Sequence, residues 1–368
     1  MRISKKEIGK ALNLAKATMS KRANNPLLTY LYMEGRKEEV TLRASSEETD
    51  LEVRLPVEDG TEFAPVLVPG APFALTIENA PGDVVELALE GGTIVVRAGK
   101  WRASLATASP EGYPEWPEIT GVDRLNGRIG AKDLAKALSN VRYAVAREDY
   151  RAIFRGVQLE FYERGFRAVA SDGYRMAIQD LQAPEGQPVR KSVLPSGAVD
   201  NLISLLREAD VGEEVRLTQT KGLVEAAFTT PWGKVRTAVR LMEGEFPDYW
   251  QVIPKEFSLK AVLDVEHFWE ALKRVSVLAD KQNHRVDLFL EEGRALLSAE
   301  GDYGKGQEEV PVALEGPPMS LAYSARYLIE ALQRASGRVT LHISGQFTPT
   351  LIEPAEGGYR AVVVPLRV

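Results

Sequence analysis

From Gly156 to Leu181 the chain reads GVQLEFYERGFRAVASDGYRMAIQDL, three runs in which apolar and polar residues alternate. The runs are broken at Arg164-Gly165 and at Asp172-Gly173. Period-two alternation interrupted by glycine turns predicts an antiparallel meander with Asp172-Gly173 as a hairpin turn. The stretch VDLFLEEGRALLSAEGDYGKGQEEVPV (286–312) follows the same plan, and VTLRASSEETDLEVRLPV (40–57) gives it again near the start.

Between these runs the spacing becomes helical. IGKAL (8–12), LAKAL (134–138) and FWEAL (268–272) each carry an apolar-x-x-Ala-Leu stripe, at intervals of 126 and 134 residues. A second series, LVPGA (67–71), LPSGA (194–198) and LAYSA (321–325), is read as three helix openings whose alanines lie 127 residues apart. Recurrence at a near-constant period along the whole chain predicts three copies of one unit: helix, strands, helix, strands. Solenoid units are usually about 20–50 residues, and these are far longer, so each holds a core of its own. The proline-bearing segments SPEGYPEWPEITG (109–121) and MEGEFPDYWQVIP (242–254) suit linkers. The expected organisation is three tandem α+β domains at about 1–120, 126–249 and 255–368.

Charge adds a local feature. The net charge is −6, so bulk electrostatics does not draw the molecule to nucleic acid. Residues 1–22, however, hold Arg2, Lys5, Lys6, Lys10, Lys16, Lys21 and Arg22 against Glu7 alone, which points to a local anionic partner. The same segment is basic and amphipathic without a continuous apolar core, and is read as a structural helix. No apolar run approaches the ~18–20 residues of a membrane span. With no cysteine, disulfides, thiolate metal sites and cysteine nucleophiles are excluded.

Candidate chemistry is sparse. The three histidines, His267, His284 and His342, show no paired metal spacing, and no metal site is expected. GDYGKG (301–306) lacks the Gly-Lys-Ser/Thr ending of a phosphate loop and is read as a hairpin turn. An enzyme of hydrolase type would have to use Ser171 and Asp172, but no nucleophile-elbow motif accompanies them. The terminal YRAVVVPLRV reads as a last strand ending near Pro365, and its compact apolar set suits a binding groove.

Taken together, the three repeats, YRAIFRGVQLEF, VASDGYRMA, EGEFPDYWQVIP and the terminal VVVPLRV resemble the bacterial sliding-clamp family, the β subunits of DNA polymerase III. The resemblance covers the whole chain. It implies three copies of the DNA-clamp fold, each with two helices on antiparallel sheets, closing as a head-to-tail homodimer into a ring around double-stranded DNA. It further implies a non-catalytic processivity factor without cofactor, cytoplasmic and nucleoid-associated during replication, with no membrane role. Its implied partners are the polymerase III α subunit, the clamp loader complex, and other polymerases and repair proteins carrying docking peptides.

The resemblance also places sites. Phe154, Ser171, Gly173, Tyr174, Arg175 and Met176 match the middle-domain wall of the family's peptide pocket. Pro247 and Val252 match its linker part, Tyr327 its rim, and Val362, Val363, Val364, Pro365, Leu366 and Arg367 its C-terminal part. Arg22 and Arg147, with Lys10 and Lys16 of the basic helix, are the expected DNA contacts. Val277 and Leu278 match the apolar pair of the ring interface; Ala103 stands where an aromatic is usual, and Trp101 is expected to contribute there. Glu148, Ala152 and Ile153 replace polar or aromatic DNA-contacting residues, and Gln251 replaces a common basic one at the pocket rim.

Overall fold

The helical stripes fold as helices because each buries one face, and Ser4 and Asp264 cap the first and the third. Ser4 opens α1 (Lys5–Thr18), its hydroxyl accepting from the Glu7 amide at 3.4 Å. Ile8, Ala11, Leu12 and Ala15 are buried along one face, while Lys6 and Lys16 stay exposed. The computed structural model describes residues 1–19, 25–119, 125–148, 151–182 and 186–367.

Among the described residues one element order occurs three times. The first copy is β1 (Arg2–Ser4), α1, β2 (Tyr30–Gly35), β3 (Glu39–Ser45), β4 (Thr49–Pro56), β5 (Phe63–Pro69), α2 (Gly70–Asn79), β6 (Val84–Glu90), β7 (Thr93–Ala98) and β8 (Trp101–Ala106). The second is β9 (Leu125–Gly130), α3 (Ala131–Arg142), β10 (Gly156–Tyr162), β11 (Gly165–Ser171), β12 (Arg175–Leu181), β13 (Arg190–Pro195), α4 (Ser196–Leu206), β14 (Glu214–Gln219), β15 (Leu223–Thr230) and β16 (Gly233–Arg240). The third is β17 (Leu259–Asp264), α5 (Val265–Ser276), β18 (Arg285–Glu291), β19 (Gly293–Gly301), β20 (Gly304–Glu315), β21 (Met319–Ser324), α6 (Ala325–Leu332), β22 (Arg338–Ile343), β23 (Thr350–Pro354) and β24 (Tyr359–Val363).

One sequence reading needs correcting. LVPGA, LPSGA and LAYSA do not lie within helices; each straddles a strand-to-helix junction. Leu67–Pro69 end β5, Leu194-Pro195 end β13, and Leu321–Ser324 belong to β21. At Gly70 the small residue gives clearance at the bend. A Cβ on Gly70 would stand 2.4 Å from the Met19 sulfur, and Ala198 and Ala325 are buried, whereas Ala71 is exposed.

The chain forms two compact units, and the middle repeat is divided between them. One comprises residues 1–135 and 197–242, with a four-stranded sheet β1-β6-β7-β8 and an eight-stranded sheet β5-β2-β3-β4-β16-β15-β14-β9. The other comprises residues 136–196 and 243–368, with a twelve-stranded sheet β13-β10-β11-β12-β24-β23-β22-β17-β20-β19-β18-β21. In each unit, strands from different repeats meet edge to edge: β4 with β16, and β12 with β24, both antiparallel.

These seams are charged and capped by linker aromatics. At the first, buried Glu52 accepts from Arg236 at 2.8 Å through both oxygens and from Arg54 at 2.9 Å. Arg236 lies 4.1 Å over the Trp116 ring, whose indole N–H donates to Glu225 at 3.1 Å. At the second, Arg167 and Arg360 both hold Asp180, and Trp250 lies beside them, 4.7 Å from Arg167 and 5.8 Å from Arg360. Tyr249 donates to Glu160 at 3.1 Å.

Burial alone would raise the Glu52 carboxyl, but its hydrogen bonds and charge contacts with Arg236 and Arg54 outweigh that and hold it below the usual range. A depressed folded-state value means the pair stabilises the fold above the ordinary glutamate pKa and loses that contribution as pH falls through the folded one. Glu52→Gln should therefore lower the melting temperature at neutral pH, with variant and parent converging as pH falls below the ordinary glutamate range. A gap that stays constant with pH would show that the ionised pair is not what stabilises the seam.

Candidate partner-docking site and nucleic-acid face

The hairpin between β11 and β12 is built by its own side chains. Asp172 accepts from the amides of Tyr174 and Arg175, each at 3.0 Å, and from the Arg175 guanidinium at 3.0 Å. Gly173 sits at φ +87°, a left-handed turn position that favours glycine. The Ser171 hydroxyl donates to the Arg175 carbonyl at 2.9 Å and accepts from the Gly173 amide at 3.1 Å. Ser171 and Asp172 are thus both engaged in holding the turn, which the Asp-Gly reading predicted for Asp172 and not for Ser171.

Arg175 is the hub behind this tip. It is 4% exposed, ion-paired with Asp172 and Glu330, and donates to the Tyr143 carbonyl at 2.9 Å. Its guanidinium lies 5.3 Å from the Tyr143 ring and 4.6 Å from the Tyr327 ring. Burial pushes the Tyr143 hydroxyl up to about 12, and that hydroxyl shares a 2.8 Å hydrogen bond with Tyr359.

The C-terminal segment closes the site. Arg175 pairs with Val363 and Met176 with Val362 across β12 and β24. Beyond the strand, the Val364 amide donates to the Tyr174 carbonyl at 2.9 Å and the Leu366 amide to the Ala322 carbonyl at 2.7 Å. The apolar floor is Val169, Met176, Ile178, Tyr249, Leu351 and Val362, with Phe246, Ile253 and Phe257 packed on it. Phe154 meets Phe246 edge to face at 5.7 Å. On the same linker Pro247 and Val252 are exposed, Val252 by 52%.

The predicted set therefore gathers in one compact unit with divided roles. Gly173, Tyr174, Pro247 and Val252 are exposed; Ser171, Tyr327, Val364 and Leu366 are half-buried. Phe154, Arg175, Met176, Val362, Val363 and Pro365 are buried beneath or behind them. Leu366 borders a separate cavity of about 240 Å³ with Phe347 and Ala322, and Arg367 is exposed. Sequence reasoning missed Tyr143, Arg155, Arg326 and Glu330; the four-residue spacing of Arg326 and Glu330 on α6 was their one local signal.

Among the basic candidates, Lys16 is exposed, but Lys10 is ion-paired with Glu208 at 2.8 Å. The same Glu208 oxygen accepts from the Trp232 indole at 3.3 Å. Arg147 is exposed and Arg22 lies outside the described residues. At the candidate ring contact, Trp101 and Ala103 are half-buried on β8. Val277 is 81% exposed just after α5, and Leu278 is half-buried. A Cβ on Gly301 would stand 2.7 Å from the Leu278 carbonyl, so glycine lets this segment lie against the end of β19. No cluster of three or more metal-ligating side chains occurs among the described residues.

Family profiles described as the N-terminal, central and C-terminal domains of the DNA polymerase III beta subunit match residues 1–117, 128–248 and 250–367. The beta sliding clamp of Caulobacter vibrioides is 27% identical over 378 residues, covering 98% of this chain and 97% of that protein. That of Pseudomonas aeruginosa is 26% identical over 371 residues, covering 100% and 99%. A crystal structure of the P. aeruginosa DNA polymerase III subunit beta superposes with a TM-score of 0.91 at 25% identity, covering both chains fully. Another, of the P. aeruginosa sliding clamp bound to griselimycin, gives a TM-score of 0.92 at 25% identity. The fold is that of a sliding clamp, a class that acts by binding and not by catalysis. The chain belongs to the DNA polymerase III beta subunit family.

Proposed function

We propose that two copies of this chain close head to tail into a ring that encircles duplex DNA and tethers the replicative polymerase. Strand equivalence is the observation that supports this most. β4, β12 and β20 occupy the same place in the three repeats, and so do β8, β16 and β24. Within the chain, β4 pairs with β16 and β12 pairs with β24. The same rule next joins β20 to a β8, and these are the two members of the series left without such a partner. Among the described residues, β8 pairs only with β7, and residues 304–312 of β20 pair only with β19. A second copy supplies the missing partners, and a two-copy ring satisfies every such edge. Trp101 and Ala103 on β8, with Val277 and Leu278 beside β20, are the side chains we assign to that contact.

In this reading the repeats act as three domains at about 1–120, 126–249 and 255–368. Lys16, Arg22 and Arg147 supply screened, sequence-blind phosphate contacts that permit sliding, and Lys10 joins them only where a phosphate displaces Glu208. The surface around Tyr174, Pro247, Val252 and Leu366 takes short peptides from the polymerase III α subunit, the clamp loader, and other polymerases and repair proteins. The site of action is the bacterial cytoplasm, on the nucleoid during replication. No helix among the described residues is long and apolar enough to cross a membrane.

Retention on DNA tests the topology. Protein loaded onto a closed circle should stay bound through gel filtration in high salt and run off once the circle is cut. Equal retention on cut and closed DNA would rule out encirclement.

A further inference from the structure

Next to the docking surface lies a cavity of about 1130 Å³ whose lining is dominated by arginine. Arg147, Arg151, Arg155, Arg175 and Arg326 all reach it, against Glu148 and Asp172. Two of these charges are already committed, since Asp172 and Arg175 hold one another in the hairpin. Glu330, which also serves Arg175, lies 3.6 Å from Arg326. Burial, then the like charges of Arg147 and Arg175, hold Arg326 below the usual guanidinium range. Arg147 and Arg155 are exposed and form no ion pair with a described residue. The cavity therefore carries a surplus of positive charge that the described residues do not balance.

Its position narrows the class of anion. Gly173, Tyr174, Arg175 and Tyr327 line this cavity and also belong to the candidate docking set, so the two surfaces share a wall. Arg151 lies 4.5 Å over the ring of Phe154, which also meets the linker's Phe246. The apolar floor at Met176 is adjacent in the chain to Arg175, which lines the cavity. The space is concave and large enough to take several side chains of an extended peptide.

We propose that partner peptides of this clamp carry carboxylates beside their apolar anchor, and that these enter the cavity against Arg155 and Arg326. The inference rests on the docking reading above and adds a recognition rule to it. Planar guanidinium groups suit carboxylates, and charge-assisted pairs at a partly desolvated site discriminate between flanking residues.

Fluorescence anisotropy with three labelled peptides tests it on the intact dimer. All share one apolar anchor, flanked on either side in turn by two aspartates, two asparagines or two lysines. The aspartate peptide should bind about tenfold tighter than the asparagine peptide at low salt, with the advantage shrinking as salt rises. The double variant Arg155→Ala, Arg326→Ala should bring the two to parity, and Arg155→Glu, Arg326→Glu should favour the lysine peptide. Leu366→Asp, with dimer mass and circular dichroism unchanged, should abolish binding of all three. Peptides that still bind Leu366→Asp would overturn the docking reading. Loss there, with equal affinities of the three peptides for the parent protein, would overturn only the carboxylate subsite. A thymidine oligonucleotide that binds the parent, is lost in the double alanine variant and leaves peptide preferences unchanged would assign the cavity to nucleic acid instead.

Discussion

Replacing Arg167 by alanine is expected to destabilise the unit that contains it by about 3–5 kcal/mol, the usual penalty for stripping one partner from a buried ion pair. Arg167 is 6% exposed and donates to both oxygens of Asp180 and, at 3.0 Å, to the Tyr162 hydroxyl. Its charge also faces Glu160 at 3.7 Å, a carboxylate that is itself almost wholly buried. Burial opposes the charge on Arg167, yet Asp180 and Tyr249 hold its guanidinium above its ordinary range. Removing it leaves Glu160 with its hydrogen bonds to Tyr249, Tyr162 and Gln158 but with far less compensating charge. The melting transition should fall by roughly 10 °C. Hydrogen exchange should accelerate in β10–β12 and in the linker around Tyr249 before it does elsewhere in that unit. A loss under about 1 kcal/mol would mean that water replaces the guanidinium and that the network is not a structural lock.

Arg175→Ala should act on partner binding through the backbone. The side chain lines the arginine-rich cavity but is only 4% exposed, and its donors are committed: it ties Asp172 in the hairpin to Glu330 on α6 and to the Tyr143 carbonyl. Without it, the 172–174 tip loses its anchor, and the Val364 amide loses a fixed Tyr174 carbonyl to bond. A loss of about 2 kcal/mol in peptide affinity, roughly thirtyfold, is expected, with dimer mass unchanged. Arg175→Lys should rescue little, because an ammonium does not reproduce the forked donors that reach Asp172, Glu330 and Tyr143 together. Full affinity in Arg175→Ala would show that strand pairing alone sets the tip, and that the arginine only stabilises.

Local pattern carried much of this architecture. The stripes at Ile8–Leu12, Leu134–Leu138 and Phe268–Leu272 became buried helix faces because helical periodicity is set by neighbours in sequence. Asp172-Gly173 was legible as a turn for the same reason. The LVPGA, LPSGA and LAYSA motifs were misread as helix openings because proline and small residues suit a junction as well as a first turn. What pattern could not show is which edges meet. Glu52 and Arg236 are 184 residues apart, so the division of the middle repeat between two units leaves no local trace.

The site divides in the same way. Tyr174, Pro247 and Leu366 were recognisable from family motifs, and the structure gathers their elements in one unit. Arg175 was expected to line a wall; its role as a hub depends on Glu330, 155 residues away. Lys10 read as a free cation, yet its partner Glu208 is 198 residues distant. Charge composition reports how many cations a segment has, not how many are left unspent after folding.

The strand pairing that joins β4 to β16 has a thermodynamic consequence for the assembly proposed above. Where a linker bridges the joint, as beneath Trp116 and Trp250, the two edges meet at an effective concentration in the millimolar range, whatever the protein's dilution. Where β8 meets the β20 of a second copy, no tether exists, and the same pairing answers to mass action. One geometric rule thus yields joints of two affinities, and parting is confined to the untethered pair while every sheet inside the chain stays whole.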